Sequence, residues 1–237
     1  MNLRVMTYNI RHGRGRDGRI DLGRIADVIA SFEPDVVALQ ELDIRRARSA
    51  HVDQPEELAR RLGMDVRFAP CIVNGREHYG IATLARFPLD VARIIVLPRK
   101  PHRWRSEPRC ALVTRIAWPL GSTLDVVNTH LSTVSRERGE QIAAIACGLD
   151  SDETILLGDF NCTTNATPFR SLCTTLRNAT RGARSWPARL PMLAIDHILV
   201  RGPLDVVHAG AWISPIARRA SDHLPVVAEL SYRRALP

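Results

Sequence analysis

The sequence predicts an α/β protein built from two packed β-sheets flanked by helices, and three observations predict it. Helical and strand-like periodicities alternate at both ends of the 237-residue chain. Between them runs a meander of strand-like segments, over 65–69, 79–85, 90–97, 110–118 and 122–129. Several apolar runs, such as Asp35-Val36-Val37-Ala38-Leu39-Gln40, are nearly continuous, which marks strands buried on both faces. A purely parallel, doubly wound sheet fits the meander poorly. No internal repeat, low-complexity tract or long linker interrupts the chain, and its length suffices for a substantial core, so one domain over 1–237 is expected.

The elements follow in order. Leu3 to Ile10 reads as a strand. Asp21 is a candidate cap for a helix carrying Ile25, Val28, Ile29 and Phe32 at helical spacing, which Pro34 stops. A strand follows over 35–40, then a helix over 54–62 closed by Gly63. After the meander, Ser135 opens a helix to about Leu149. Residues 154–158 read as a buried strand broken by Gly158, 168–176 as a short helix, and 195–200, 205–212 and 225–230 as strands. Two irregular stretches, 11–19 and 98–108, are loops rich in Gly and Arg and in Pro, respectively.

Composition limits the function classes. No charge-free run approaches the roughly 20 residues needed to span a bilayer, and Met1-Asn2-Leu3-Arg4-Val5 passes directly into a strand with no secretory leader pattern. Cysteines 71, 110, 147, 162 and 173 are odd in number and form no Cys-x-x-Cys pair, so neither a disulfide framework nor a zinc site is expected. A reducing cytoplasm is the expected compartment. The net charge is +8, and Lys100 is the only lysine among 33 basic residues. So many guanidinium groups suit a polyanionic partner, or reflect a general replacement of lysine by arginine.

The strand ends carry the chemistry. Strand-like runs terminate in Thr7-Tyr8-Asn9, Gln40-Glu41, Asn128-Thr129-His130 and Asp159-Phe160-Asn161. Asp196 sits within Ile195-Asp196-His197-Ile198, and Ser221-Asp222-His223 precedes the last strand. Any one of these alone reads as a turn former or a satisfied histidine. Together they are hard oxygen donors and imidazoles, suited to a divalent metal and to proton transfer. Oxygen ligands favour Mg²⁺ or Mn²⁺, and no zinc spacing occurs. A Gly-x-Ser-x-Gly elbow, a Walker loop and a dinucleotide fingerprint are all missing from the sequence.

The ordered series T-Y-N-I (7–10), A-L-Q-E (38–41), V-N-T-H-L (127–131), G-D-F-N (158–161), I-D-H-I (195–198) and S-D-H-L-P-V (221–226) resembles the endonuclease/exonuclease/phosphatase superfamily. Deoxyribonuclease I-like nucleases, AP endonucleases, inositol polyphosphate phosphatases and neutral sphingomyelinases belong to it. The resemblance runs nearly end to end. It implies a four-layer α/β/β/α sandwich, two mixed β-sheets face to face with helices outside, and an active site where strand ends meet.

Position by position, the resemblance implies Asn9 and Glu41 as the metal site, with Asp222 as a further metal-side ligand. It implies Asp159 as the carboxylate that positions or deprotonates water, Asn161 as holder of phosphate or water, and His223 as a phosphoryl contact oriented by Asp196. His130 matches the deoxyribonuclease and sphingomyelinase branch, where Glu77 takes the place of that histidine's acid partner. Arg109, before a strand, and Arg11, in the first loop, are candidate substrate contacts; a surface arginine and a flexible basic loop are the plainer alternatives. The implied activity is Mg²⁺-dependent (or Mn²⁺-dependent) phosphodiester hydrolysis by in-line attack of water. A nucleic acid is slightly favoured as substrate. A phospholipid head group or a small phosphate ester is the alternative, and a binding module without catalysis is a remote one.

Overall fold

The structure, a computed structural model, describes residues 2–100, 106–117 and 123–233. The expected strand ends at 118 and 122, and residues 101–105 of the second irregular stretch, lie outside the described residues. Among these, the strands form two six-stranded sheets. The first contains β1 (Asn2–Asn9), β2 (Val36–Ile44), β3 (Asp65–Asn74), β4 (Glu77–Ala85), β11 (Leu204–Ala211) and β12 (Val226–Tyr232), in the order β11-β12-β1-β2-β4-β3. The second contains β5 (Asp90–Val96), β6 (Cys110–Ala117), β7 (Thr123–His130), β8 (Thr154–Asp159), β9 (Arg177–Asn178) and β10 (Asp196–Arg201), in the order β5-β6-β7-β8-β10-β9. Each sheet is mixed: β1 runs parallel to β2 and β7 parallel to β8, and the other pairs are antiparallel.

Period-two alternation sorts the side chains into layers. Along β1, Met6 and Tyr8 face α1 (Leu22–Ala30) and α2 (Gln54–Leu62), packing with Ile25, Val28, Ile29 and Leu58. Leu3 and Val5 face the other way, into the core between the sheets, with Ile116, Leu124, Val126, Ile155, Leu157 and Ile198. On the far side, Val127, Leu156 and Leu199 pack against Ile142 and Ile145 of α3 (Ser135–Cys147) and Phe169 and Leu172 of α4 (Thr167–Leu172). This is the four-layer α/β/β/α sandwich. No helix among the described residues is long and apolar enough to cross a membrane.

Local signals account for most boundaries. The Asp21 carboxylate accepts the Arg24 N–H at 2.9 Å and starts α1, and Gly63 ends α2 at φ 63°. Ser135 opens α3 as expected, after a loop that Ser132 Oγ holds by donating to Glu137 at 2.7 Å. Two expectations are corrected. The helix expected over 168–176 ends at Leu172, and a two-residue strand, β9, follows. Gly158 does not break its strand: β8 continues through it to Asp159. A Cβ at Gly158 would lie 1.9 Å from the Thr129 carbonyl oxygen, so glycine there lets β7 and β8 approach.

Candidate active site

The residues that face the other sheet change character toward one end of the sandwich. Leu3, Val5, Val36, Ala38, Leu124 and Val126 are apolar. Continuing with the same parity come Thr7, Gln40 and Asn128, all fully buried. Gln40 Nε2 donates to Asn128 Oδ1 at 2.9 Å, and Asn128 Nδ2 donates to the carbonyls of Ala82 at 2.8 Å and Leu39 at 3.1 Å. This polar layer stitches the sheets together beneath the cleft. One step further along the same faces stand Asn9, His130, Asp159 and Asp196.

Register places three of these side by side. His130 pairs with Asp159 across β7 and β8, and Asp196 pairs with Asp159 across β10 and β8. Asn9 reaches Asp159 from the opposite sheet: its Nδ2 donates to Asp159 Oδ2 at 3.1 Å and to Glu41 Oε1 at 2.9 Å. His130 Nε2 lies 3.5 Å and His223 Nε2 3.8 Å from that same oxygen. Side chains of β1, β7 and the segment before β12 therefore converge on one carboxylate of β8, with Asp196 of β10 beside it.

Glu41 reaches the cleft against the parity of its strand. Alternation along β2 would send it toward the helices, on the side of Val37 and Leu39. The register with β4 slips between Leu39 and Leu42, and Glu41 adopts φ 63°. This bulge turns the carboxylate to Asn9. A non-glycine residue in the left-handed region is held at a conformational cost, which is common at functional sites. Asn161, with φ 49°, is a second such case. Its N–H donates to Asp159 Oδ1 at 2.9 Å and its Nδ2 to the Leu131 carbonyl at 2.9 Å, so the turn and the placement of the acid are one feature.

The charge states differ from residue to residue. Burial, reinforced by Asp196, raises the Asp159 pKa to about 7. Burial disfavours charge on His223, but Asp196 and Asp159 outweigh it, and its pKa is raised to about 10. Its Nδ1 donates to Asp196 Oδ2 at 2.9 Å, an oxygen that also accepts the Ser185 hydroxyl. His130 moves the other way: burial, then Arg109 and His223, hold its pKa well below the ordinary histidine value. Arg109 Nη1 lies 2.8 Å from His130 Nδ1. A guanidinium can only donate, so Nδ1 is the acceptor and the single ring proton sits on Nε2, facing Asp159.

The other candidates fall as follows. Arg109 is buried, not a surface arginine, and its Nη2 also meets Glu107 at 2.9 Å. Glu77 begins β4 at the β3–β4 hairpin, opposite Asn74, and does not line the cleft; the Nδ1 partner of His130 is Arg109. Asp222 and Arg11 pair at 3.8 Å on the rim, and neither lines the cleft. Arg11 sits in a 3₁₀ turn, Arg11–Gly13, and its N–H takes the Asn9 side-chain oxygen at 3.1 Å. Asn9 thus enters the site as a shared donor to two carboxylates. The cleft measures about 390 Å³, and Arg46, Arg48 and Tyr79 form its opposite wall. Sequence reasoning did not find Ser185, which is buried, or this wall, because only the tertiary fold brings these residues to the site.

Donor chemistry fits a hard divalent cation. Burial raises the Glu41 pKa, opposed by its hydrogen bond from Asn9 and, at longer range, by His223 and Arg109. A desolvated carboxylate so lightly supported gains from a cation. Asp159, Asp196 and His223 also place ligand atoms within 4.8 Å of one another. There, Asp196 Oδ2 is taken by His223 and Ser185 while its Oδ1 is buried without a hydrogen-bond partner, and of these acids Glu41 and Asp159 are the ones that line the cleft.

Two mixed sheets packed face to face, with acids, amides and histidines meeting at one end of their interface, define the deoxyribonuclease I-like class of phosphoester hydrolases. The polar motifs are distributed over almost the whole chain, as that class requires. The chain belongs to the Endonuclease/Exonuclease/phosphatase family, whose model matches residues 6–223. An uncharacterised Escherichia coli protein, YbhP, is 26% identical over 97% of this chain and 96% of its own length. An endonuclease/exonuclease/phosphatase from Beutenbergia cavernae superposes with a TM-score of 0.77 at 25% identity, over 99% of this chain and 72% of that one. A mannosyl-6-phosphatase from Bacteroides thetaiotaomicron superposes with a TM-score of 0.75 at 19% identity, over 97% of this chain and 100% of that one. Members of the family are phosphoester hydrolases, and their substrates range from nucleic acids to small phosphate esters.

Proposed function

We propose that the protein is a divalent-cation-dependent phosphodiesterase that hydrolyses a P–O bond by in-line attack of water. The observation that carries this reading is the convergence of Asn9, His130 and His223 on Asp159 Oδ2, with Glu41 one amide away. Glu41 would hold Mg²⁺ or Mn²⁺, kept in place by Asn9, with Asp222 on the rim nearby. Such a cation, when bound, neutralises charge on phosphoryl oxygens and lowers the pKa of water.

The chain's own groups supply the rest. Asp159, with a pKa near neutrality, orients the attacking water and accepts its proton. Asn161 fixes that carboxylate through its backbone N–H. His223, kept charged by Asp196, offers an Nε2 proton to the oxygens on which negative charge develops. His130 stays neutral and offers its Nε2 proton from the other side. Arg109 acts through His130 by fixing the tautomer, and Arg46 and Arg48 give the entrance positive charge for an anionic substrate.

Hydrolysis of bis(p-nitrophenyl) phosphate with Mg²⁺ or Mn²⁺ tests the reading. The wild type should turn over and stop with EDTA, and Asp159→Ala and His223→Ala should be inactive. Activity that survives EDTA, or either variant at the wild-type rate, removes the proposal. Absence of both turnover and cation uptake leaves a binding module. Basic charge favours a nucleic acid as the natural phosphodiester, tested with plasmid DNA. A second reading, a phospholipid head group, is favoured by the exposed apolar side chains of Leu190, Met192 and Leu193.

A further inference from the structure

The segment 185–193 is a closed loop that presents apolar side chains to solvent. Trp186 N–H donates to Leu193 O at 3.1 Å, and Leu193 N–H and Met192 N–H donate to Trp186 O at 2.8 and 2.9 Å. Its backbone is thus ordered by its own hydrogen bonds. Yet Leu190 is 67% exposed, Met192 62%, Leu193 42% and Trp186 37%. A loop that needed only to connect β9 to β10 would place polar residues at such positions.

The loop is fastened to the catalytic segment. Ala188 N–H donates to Asp222 O at 2.7 Å, Leu224 N–H donates to Ser185 O at 2.9 Å, and the Ser185 hydroxyl donates to Asp196. These bonds flank His223 on both sides. The apolar tip therefore keeps a fixed position beside the cleft.

Charge points to the partner. Between Asp159 and Asp196 the sequence contains five arginines, at 170, 177, 181, 184 and 189, and no acid. Arg181, Arg184 and Arg189, close to the tip, are exposed. Three of the four exposed apolar residues are aliphatic. They cannot stack on bases, the contact that single-stranded nucleic acids require, but they can enter the boundary between head groups and acyl chains.

We propose that the 186–193 loop docks on an anionic lipid bilayer, Leu190, Met192, Leu193 and Trp186 entering the interface and Arg181, Arg184 and Arg189 meeting lipid phosphates. Docking brings head-group phosphodiesters to the cleft, and only this last step rests on the phosphodiesterase reading. Flotation with vesicles, in EDTA so that catalysis plays no part, tests it. Binding is expected to vesicles of phosphatidylcholine mixed with phosphatidylglycerol, not to phosphatidylcholine alone, and should weaken as salt rises. The double variant Leu190→Asp, Met192→Asp should bind at least tenfold more weakly while hydrolysing soluble bis(p-nitrophenyl) phosphate at the wild-type rate. Arg184→Ser with Arg189→Ser, a pair that alters no apolar contact, should also weaken binding. No vesicle binding, binding indifferent to both double variants, or loop-dependent binding to single-stranded DNA in place of vesicles overturns the proposal. Loss of turnover in the wild type with vesicle binding intact would overturn only the phosphodiesterase reading.

Discussion

Arg109 and Glu41 show how single residues set the chemistry. Arg109 caps His130 Nδ1 and opposes its protonation, so the imidazole is a donor through Nε2. In metal-free Arg109→Met, the His130 pKa should rise, followed through its Cε1–H resonance on pH titration. An unchanged pKa would show that burial alone depresses it. Glu41→Gln keeps the hydrogen-bonding shape but loses the charge. Mg²⁺ affinity by titration calorimetry should fall about tenfold or more, with little change in thermal stability. Asp159→Asn should lower kcat by about two orders of magnitude or more while leaving KM for a soluble diester within severalfold. A large KM effect with kcat retained would assign Asp159 to binding instead.

At the scale of elements, strand parity explains how much of the site was legible. Asn9, His130, Asp159 and Asp196 all continue the intersheet face of apolar strands, so a polar residue at the end of such a face reads directly from period two. Glu41 does not. The sequence marks it as a strand-end acid, but its inward turn depends on a bulge in β2 that period two does not reveal. Glu77 was misplaced because a loosely aligned acid gives no hint of where a hairpin ends, whereas Arg109 was buried by its place at the start of β6. The strand pairings themselves were not legible, since register depends on contacts between distant segments. Gly158 is the position at which β8 is most tightly fitted. Gly158→Ala should destabilise the fold by several kcal/mol or yield insoluble protein, because the new methyl meets backbone. Urea denaturation measures this, and a variant of near wild-type stability would show that β7 and β8 separate readily.

At the scale of the molecule, the cleft places a load on stability that depends on pH. The folded state raises the Asp159 pKa to about 7 from 3.8, so ionising that group between about pH 4 and 7 disfavours folding. It raises the His223 pKa to about 10 from 6.5, so that contribution is complete below pH 6.5 and is lost as pH rises through 10. Both act in the same direction. Below pH 6.5, His12, His130 and His197, whose pKa values burial lowers, act the opposite way, so the melting temperature of the metal-free protein should fall by several degrees from pH 7 to pH 10, and Mg²⁺ at pH 8–9 should restore part of it. A melting temperature that rises across this window would contradict these charge states. The sandwich also orders events in time. β12 lies between β1 and β11 in the first sheet, and the segment just before it carries His223. During synthesis, β1 emerges well before β12 and must wait for it before that edge is covered. A ribosome that stalls before residue 223 leaves an open sheet edge, a target for chaperones and proteases, and a cleft without its last histidine.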